Sequence, residues 1–344
     1  MKLCRVCDLD AIRNNLKTIK DRAGTDLLFM VKCNAYGHGM CEVAKATEDL
    51  VAYFGVATIS EALRLRTEGI IKPVLASVFL PQETDNILLN DITCAVYNAD
   101  HVRLLECAAK RTGRKAKVHV KLDTGMNRLG ISDESEALAI IKMLEKRRDF
   151  IIVEGVYSHL RSVNLAQIER FEKLTALFIK SFPGLIRHIA ATSAVEAGVG
   201  LNYEMVRVGI GGYGYGMDGL TPALSVMTEV LVSRRAKKGE FVGYGEHKLD
   251  KDTNIAVLLG GYGDGVLRGT KHVLIRGEKR NILAAPCMDM LIIDTGSELA
   301  KIGETAILLG PGLTAEDLAE ENGTIPYEIL TAFDRSRSEM YYFI

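Results

Sequence analysis

The sequence predicts a (β/α)8, TIM-like barrel that is followed by a mostly antiparallel β domain. In roughly the first two-thirds of the 344 residues, short apolar runs alternate with segments whose apolar residues recur at spacings of three and four. This alternation is typical of strands that are connected by amphipathic helices. From about residue 222 the pattern changes to strand-like runs separated by turns that contain glycine, which indicates a β domain. A doubly wound sheet is the alternative for the first part, because periodicity does not separate it from a barrel.

Each predicted strand of the first part is a short apolar run bounded by polar or turn-forming residues. After the sixth run, Ile168, Phe171, Leu174 and Phe178 recur at helical spacing, as expected for a helix that packs against a sheet. The second part has short connections until two helices near its end, so we expect its strands to be antiparallel. The predicted barrel strands are residues 27–33, 52–57, 73–78, 92–96, 116–122, 151–159, 186–191 and 205–211, and the predicted elements of the β domain are strands 223–233, 254–259, 272–275, 290–294 and 305–309 and helices 315–321 and 327–333.

The length of the chain predicts two domains, because single cores rarely grow beyond ~250–300 residues. We place the barrel at residues 8–220 and the β domain at residues 221–344. Residues 1–7 alternate Leu3, Arg5 and Cys7 in the manner of a strand, and we expect this strand to join the β domain.

The charge balance argues against nucleic acid and against a membrane as partners. The 43 Lys and Arg residues and the 44 Asp and Glu residues leave a net charge of −1, whereas a polyanion would need clustered Lys and Arg. The longest uncharged stretches, such as 253–263 and 305–315, fall short of the roughly 18 apolar residues that span a bilayer. We therefore predict neither partner.

The N-terminus and the cysteines predict a cytoplasmic protein. Asp8 follows the first residue too closely for the apolar core of a signal peptide to form. The seven cysteines are then best interpreted as reduced thiols. Cys4 and Cys7 have the spacing of a metal or redox motif, but no second pair of Cys or His with ligand spacing accompanies them. We predict no metal site.

Chemistry-bearing side chains follow several of the predicted barrel strands, where a barrel places its active site. The first strand carries Lys32 next to its last residue, and burial of an ammonium is so costly that it favours the neutral amine that a nucleophile requires. The fifth strand contains Lys121 near its end and is followed by Arg128, and an Arg fork binds both oxygens of a carboxylate. Small residues and hydroxyls at 188–194 and glycines at 209–214 suit a phosphate.

An amine nucleophile, a carboxylate-binding arginine and a phosphate pocket in one barrel indicate pyridoxal phosphate acting on an amino acid. The glycines at 209–214 also match a dinucleotide-binding loop loosely. Such a loop follows the first strand of a βαβ unit and needs an acidic residue about 20 positions further on. Here a β-rich half follows instead, so a dehydrogenase is disfavoured.

The segment Val-Lys-Cys-Asn-Ala-Tyr-Gly-His-Gly at residues 31–39 resembles the pyridoxal-phosphate signature of the alanine racemases. The resemblance extends over nearly the whole chain, through residues 121–130, 205–211, 242–245, 261–265, 287–289 and 327–328. It implies an isomerase that interconverts L- and D-alanine with pyridoxal 5′-phosphate. It also implies a head-to-tail homodimer whose two subunits share each active site.

The resemblance implies two acid–base groups. Lys32 would attach the cofactor covalently and later move a proton, and Tyr244 of the partner subunit would act on the opposite face. Arg207 would face the pyridine nitrogen, His159 would lie between the Arg207 network and the tyrosine, and Arg128 would lie near the substrate carboxylate.

The remaining assignments from the resemblance concern binding and support. Lys121 would support Arg128 and carry a carbamate, and Met288 would lie beside the substrate. The phosphate would be held by Tyr36, Ser193, Gly209 and Ile210.

Four positions depart from the family's pattern. Arg335 falls where the family has an aromatic residue at the pocket, which leaves two roles open: pairing with the phosphate, or turning outward and making room for a larger side chain. Asn164 and Ala285 replace residues of the entrance corridor. Thr192 precedes Ser193 in the phosphate motif, so either hydroxyl is a candidate there.

These departures leave a racemase for serine or for a basic amino acid as the alternative substrate class. A decarboxylase of the same architecture is disfavoured by Arg207, since its pyridine-nitrogen partner is typically acidic. A pyridoxal-phosphate carrier would be a single barrel, and the β domain that carries Tyr244 argues against it.

Overall fold

The computed structural model describes residues 3–335 and 337–343, except for the side chain of Arg335. These residues form two compact units. The barrel unit consists of Arg13–Ala35 and Met40–Leu220, and the β unit consists of Met1–Ile12, Tyr36–Gly39 and Thr221–Ile344.

Strands and helices alternate regularly in the first part of the chain and irregularly in the second. The described strands are β1 Cys4–Asp8, β2 Asp26–Met30, β3 Tyr53–Val56, β4 Val74–Ala76, β5 Thr93–Val96, β6 Ala116–Lys121, β7 Ile151–Tyr157, β8 Ile186–His188, β9 Met205–Val208, β10 Leu224–Ala236, β11 Thr253–Leu259, β12 His272–Ile275, β13 Glu278–Asn281, β14 Met290–Asp294, β15 Thr305–Leu309 and β16 Glu339–Phe343. The described helices are Leu9–Ala23, Met40–Thr47, Ile59–Thr67, Thr84–Leu89, Ala99–Thr112, Glu134–Glu145, Leu165–Ser181, Thr192–Glu196, Ala315–Asn322 and Pro326–Ala332.

The barrel unit contains eight parallel strands in the order β8-β7-β6-β5-β4-β3-β2-β9. The two ends of this order meet, because the backbone N–H of Arg207 in β9 donates to the carbonyl of Ala190, just beyond β8, at 3.0 Å. Strand residues such as Leu28, Phe54 and Val118 are fully buried, as expected for parallel strands that are covered on both faces. The predicted (β/α)8 barrel is thus confirmed.

Local signals in the sequence determine where the barrel helices begin and end. Thr58 accepts from the backbone N–H of Glu61, whose carboxylate accepts from the N–H of Thr58, which makes a complete capping box. Asn98 caps the helix Ala99–Thr112. That helix ends at Gly113, whose φ of 70° suits a left-handed cap.

The β unit contains a mostly antiparallel sheet in the order β13-β12-β15-β10-β1-β16, and β11 pairs with β10 and with β14. The N-terminal strand β1 lies in this sheet. Every described strand pair of the β unit is antiparallel except β1 with β16, which run parallel. The mostly antiparallel β domain is confirmed, with this pair as the exception.

Two strands of the β unit were not predicted. Strand β13 has the sequence Glu-Lys-Arg-Asn, which lacks an apolar alternation. It pairs with β12 across the two-residue turn of Arg276 and Gly277, both at positive φ, as in the tightest hairpins. Strand β16 follows the last helix by a few residues and pairs with β1 from the other end of the chain, which local pattern does not reveal. None of the described helices is both long and apolar enough to cross a membrane.

Candidate active site

Lys32 lies just beyond β2 and begins a left-handed turn. Cys33, Asn34, Ala35 and Tyr36 all have φ between 51° and 55°. Such a conformation costs roughly 1–2 kcal/mol for each residue with a side chain, so it must be fixed by its surroundings. Two contacts within the barrel unit do so: the N–H of Cys33 donates to Glu61 at 2.7 Å, and the Asn34 side chain accepts from the N–H of Met40 at 2.9 Å. Lys32 itself is half-buried.

His159 lies two residues beyond β7, and four positive charges act on it. Burial lowers the pKa of His159 to about 3, and the charges of Arg207, Lys121, Arg128 and Lys32 act in the same direction. The charges of the predicted cationic residues of the barrel unit thus all act on this imidazole, and Arg207 contacts it directly. His159 is neutral at physiological pH.

Arg207 lies in β9 and is buried in the barrel unit. Its Nη2 lies 2.9 Å from His159 Nδ1, and its Nη1 lies 3.2 Å from His188 Nδ1. Two further N–H groups donate to the carbonyls of His188 and Ile189. Burial lowers its pKa to about 10, which still leaves the guanidinium charged at neutral pH.

A chain of imidazoles continues from Arg207 into the barrel. His188 Nε2 lies 2.8 Å from His119 Nδ1, and both rings are completely buried. Gly155 makes room for His119, because a Cβ at that position would lie 2.7 Å from the imidazole. Within the described part of the chain, His119 Nε2 has no hydrogen-bond partner. Neither His119 nor His188 has a role predicted from the sequence.

Tyr157 at the end of β7 supports the same network. Its ring stacks on His188 with centroids 4.9 Å apart and planes at 4°. Lys121 Nζ lies 5.2 Å and the Arg207 guanidinium 5.4 Å from the centre of this ring, which places both cations within reach of its π electrons.

Lys121 and Arg128 come from either end of the loop that follows β6. Lys121 is buried and donates to the carbonyl of Leu122 at 2.7 Å, whereas Arg128 is exposed. Burial lowers the pKa of Lys121 to about 7, and the charge of Arg207 acts in the same direction. Asp123 shapes the loop, since its carboxylate accepts from the backbone N–H groups of Gly125 and Arg128 at 2.8 and 2.9 Å. The role of Asp123 was not predicted, although the sequence carries a signal for it: an Asp before Thr-Gly commonly makes such a turn.

The candidate phosphate-binding residues lie after β8 and β9. Ser193 is exposed in the first turn of the helix Thr192–Glu196, and Gly209 and Ile210 follow β9 directly. Thr192 is buried, and its hydroxyl accepts from the backbone N–H of Gly211 at 3.3 Å. Thr192 thus has a partner inside the protein, which leaves Ser193 as the exposed hydroxyl of the motif.

The other candidate residues belong to the β unit. Tyr36 is buried, with its ring centre 5.9 Å from that of Tyr327. Tyr244 is 78% exposed and Met288 is 54% exposed. The carbonyl of Met288 accepts from the N–H of Gly263 at 3.0 Å, which joins two neighbouring loops.

The departures from the family's pattern have different structural settings. Asn164 caps the helix Leu165–Ser181 by accepting from the N–H of Ala166 at 3.0 Å. Ala285 is exposed on the β unit. The side chain of Arg335 lies outside the described residues.

Comparison with known proteins gives one consistent result. The family models described as "Alanine racemase, N-terminal domain" and "Alanine racemase, C-terminal domain" match residues 7–216 and 223–342. An alanine racemase of Thermobifida fusca is 35% identical, over 97% of this chain and 96% of that protein. An alanine racemase of Mycobacterium leprae is 37% identical, over 95% of this chain and 92% of that protein.

Solved structures agree with the sequence relatives. The alanine racemase from D-cycloserine producing Streptomyces lavendulae has a TM-score of 0.95 at 29% identity and covers 100% of this chain and 97% of its own. The alanine racemase from Bartonella henselae with covalently bound pyridoxal phosphate has a TM-score of 0.90 at 25% identity and covers 100% of both chains. The chain therefore belongs to the alanine racemase family.

Proposed function

We propose that this protein interconverts L- and D-alanine with pyridoxal 5′-phosphate and that Lys32 and Tyr244 of the partner subunit are its two acid–base groups. The observation that carries the proposal is the buried guanidinium of Arg207, held 2.9 Å from the imidazole of His159, on which the charges of Lys32 and Arg128 also act. An amine, a carboxylate-binding arginine and a buried arginine are the groups that this cofactor and an amino acid require together.

The residues of the barrel unit fit the cofactor. Lys32 offers a primary amine at the carboxyl end of β2, and Ser193, Gly209 and Ile210 offer a hydroxyl and backbone groups after β8 and β9. Such groups after the last barrel strands suit a phosphate. When bound, the cofactor supplies an electron-accepting ring that makes the α-proton of an amino acid acidic.

Arg207 would face the ring nitrogen of the cofactor. Its guanidinium is charged and can only donate hydrogen bonds, and His159 and His188 hold it in place. A fixed positive charge at that point disfavours protonation of the ring nitrogen. This limits how far negative charge spreads into the ring, which favours racemisation over transamination.

Racemisation removes a proton from one face of the α-carbon and returns one to the other face. Lys32 would hold or move the proton on one face. Tyr244 of the partner subunit would do so on the other, with its phenol oriented by the Nε2–H of His159. The positive charges of Arg207 and Arg128, which act on His159, would stabilise a phenolate there.

A homodimer is part of this proposal. Tyr244 lies on the β unit with 78% of its surface exposed, and an exposed tyrosine is available to a second subunit. We also assign the enzyme to the cytoplasm, a proposal that the free thiols of all seven cysteines support.

Borohydride reduction of the protein with pyridoxal 5′-phosphate, followed by peptide mapping, tests the role of Lys32. We expect the label on Lys32, and none in Lys32→Ala. The matched control is Lys45→Ala, which removes an exposed lysine paired with Glu68 and should keep the label. A label on Lys121 would contradict the assignment.

A chiral assay tests the substrate. The enzyme with bound pyridoxal 5′-phosphate is incubated with a single enantiomer of alanine, serine or lysine, and formation of the opposite enantiomer is measured. Alanine should have the highest kcat/KM of the three. A preference for serine or lysine would replace the proposed substrate and leave the reaction type unchanged.

A further inference from the structure

The four residues that complete the turn after Lys32 pack within the β unit. Tyr36–Gly39 belongs to that unit and not to the barrel unit, which contains the residues that flank it. Gly37 has a φ of 85°, and a Cβ there would lie 2.6 Å from the carbonyl of Leu330. The ring of Tyr36 lies against that of Tyr327. The conformation of this segment is therefore set by the β unit.

Arg5 in β1 makes a polar contact to this segment. Its Nη1 donates to the carbonyl of Gly37 at 3.2 Å and to Asp334 Oδ1 at 2.8 Å, and its Nε donates to the hydroxyl of Ser338 at 2.8 Å. Arg5 is only 8% exposed. A buried arginine that meets a carboxylate, a carbonyl and a hydroxyl at once is held in one place.

These contacts fix the Gly37–His38 peptide, which lies one residue beyond Tyr36. The Gly37 carbonyl sets the plane of the peptide bond after Gly37, and Tyr36 and Gly37 are both at positive φ. The imidazole Nδ1 of His38 lies 3.1 Å from the carbonyl of Tyr36. Movement of the Gly37 carbonyl would thus shift the backbone that carries the Tyr36 side chain.

We propose that Arg5 is a positioning residue for cofactor binding: with Asp334, it fixes the Gly37 peptide and so places the hydroxyl of Tyr36 against the phosphate of the cofactor. This inference rests on the proposed function, because it takes Tyr36 as a phosphate ligand. Arg5 touches no reacting group itself, so its effect should be confined to what the phosphate contributes to binding.

A purely structural role for Arg5 predicts something different. If Arg5 only joined β1 to the C-terminal residues, its loss would loosen the site as a whole. Affinity for the cofactor would then fall to the same extent with or without its phosphate. Pyridoxal, which lacks the phosphate, therefore separates the two roles.

The experiment measures the Kd of the apoenzyme for pyridoxal 5′-phosphate and for pyridoxal by absorbance and fluorescence titration. For Arg5→Gln we expect the Kd for pyridoxal 5′-phosphate to rise at least tenfold and that for pyridoxal to stay within twofold. Asp334→Asn should act in the same direction, and Arg5→Lys should restore part of the affinity. In a Tyr36→Phe background, Arg5→Gln should have no further effect.

The matched control is Arg147→Gln, since Arg147 is a partly buried arginine of the barrel unit that pairs with Glu106. It should leave both Kd values unchanged. Thermal unfolding of each apoenzyme shows whether it is folded. If Arg5→Gln does not fold, Asp334→Asn replaces it as the test variant. Equal loss of affinity for the two ligands, or no loss for either, would overturn the inference.

The same samples distinguish failure of the proposed function from failure of the proposed role of Arg5. If the wild-type protein takes no borohydride label on Lys32, the cofactor site is elsewhere and the proposed function fails. If Lys32 is labelled in wild type and in Arg5→Gln, and the two Kd values change together, only the role of Arg5 is wrong.

Discussion

Arg207 Nη2 lies 2.9 Å from His159 Nδ1, and this contact determines which nitrogen of the imidazole carries the proton. A guanidinium has only donors, so Nδ1 of His159 must accept and Nε2 must carry the hydrogen. The same holds for His188, whose Nδ1 faces Arg207 Nη1 at 3.2 Å. His188 Nε2 then donates to His119 Nδ1 at 2.8 Å. One arginine thus fixes the tautomers of three histidines.

This chain of neutral imidazoles should make the protein sensitive to acid. Burial lowers the pKa of His119 from 6.5 to about 3. Between these pH values the unfolded state binds more protons than the folded state, so the free energy of unfolding falls as the pH falls from about 6.5 towards 3. Above pH 6.5 the contribution of His119 to stability is fully present. At pH 5, His119 alone should cost about 2 kcal/mol of the free energy of unfolding.

Urea unfolding at pH 7.5 and 5.0, at one protein concentration, measures this loss. In His119→Gln the difference between the two pH values should shrink by about 2 kcal/mol relative to wild type. The control His247→Gln removes an exposed histidine of the β unit and should leave the difference unchanged. An equal pH dependence in wild type and His119→Gln would contradict the argument.

The barrel strands could be predicted because parallel strands are buried on both faces and appear in the sequence as continuous apolar runs. The predicted carboxyl ends of the strands were less accurate next to the candidate site residues. The runs predicted to reach residues 33, 159 and 211 end as strands at Met30, Tyr157 and Val208. Lys32, His159 and Gly209 lie beyond those points, where the backbone no longer pairs with the neighbouring strands. Local hydrophobicity does not distinguish these segments from strands.

The histidine chain could not be predicted from the sequence. His119 and His188 are 69 residues apart, and each is a single polar residue near or within an apolar run. Only closure of the barrel brings β6, β8 and β9 close enough for these side chains to meet Arg207. The left-handed turn after Lys32 was missed for a related reason, because three of its residues are not of the types that favour positive φ.

Lys121 should be carbamylated in a manner that depends on pH. Burial lowers its pKa from 10.5 to about 7, and only a neutral amine reacts with carbon dioxide. The neutral fraction therefore rises as pH is raised through 7. In ¹³C NMR with labelled bicarbonate, a carbamate signal should increase between pH 6 and pH 8.

The signal should disappear in Lys121→Arg. Lys117→Arg is the matched control, because Lys117 lies on the same strand but pairs with Asp91 with 35% of its side chain exposed. A carbamate signal that survives in Lys121→Arg would assign the modification to another amine.

Subunit exchange tests whether the site is shared. Lys32 belongs to the barrel unit and Tyr244 to the β unit, and we assign them to opposite subunits of each site. Equal amounts of inactive Lys32→Ala and inactive Tyr244→Phe should regain up to about a quarter of the wild-type activity, because half of the dimers would be mixed and each would hold one intact site. Sites built within one chain would give no recovery after exchange verified by mass spectrometry.

Arg335 is the departure from the family that bears most directly on the substrate. Its neighbours are firmly held: Asp334 accepts from Arg5 at 2.8 Å, and Arg337 donates to Asp264 at 3.0 Å and to Asp289 at 2.7 Å. Replacement of Arg335 by the family's aromatic residue should therefore leave the backbone in place. The guanidinium of an arginine is a fork of donors that suits a phosphate, so pairing with the cofactor phosphate is the role that we expect for Arg335.

We therefore expect Arg335→Tyr to preserve racemisation of alanine and to change mainly the affinity for pyridoxal 5′-phosphate. The measurement is kcat/KM for alanine, serine and lysine, together with the Kd for the cofactor. If Arg335 instead turns outward and enlarges the pocket, the substitution should shift the preference among these amino acids by tenfold or more, which corresponds to about 1.4 kcal/mol of differential transition-state binding. A shift of that size with unaltered cofactor affinity would show that Arg335 selects the substrate and does not bind the phosphate.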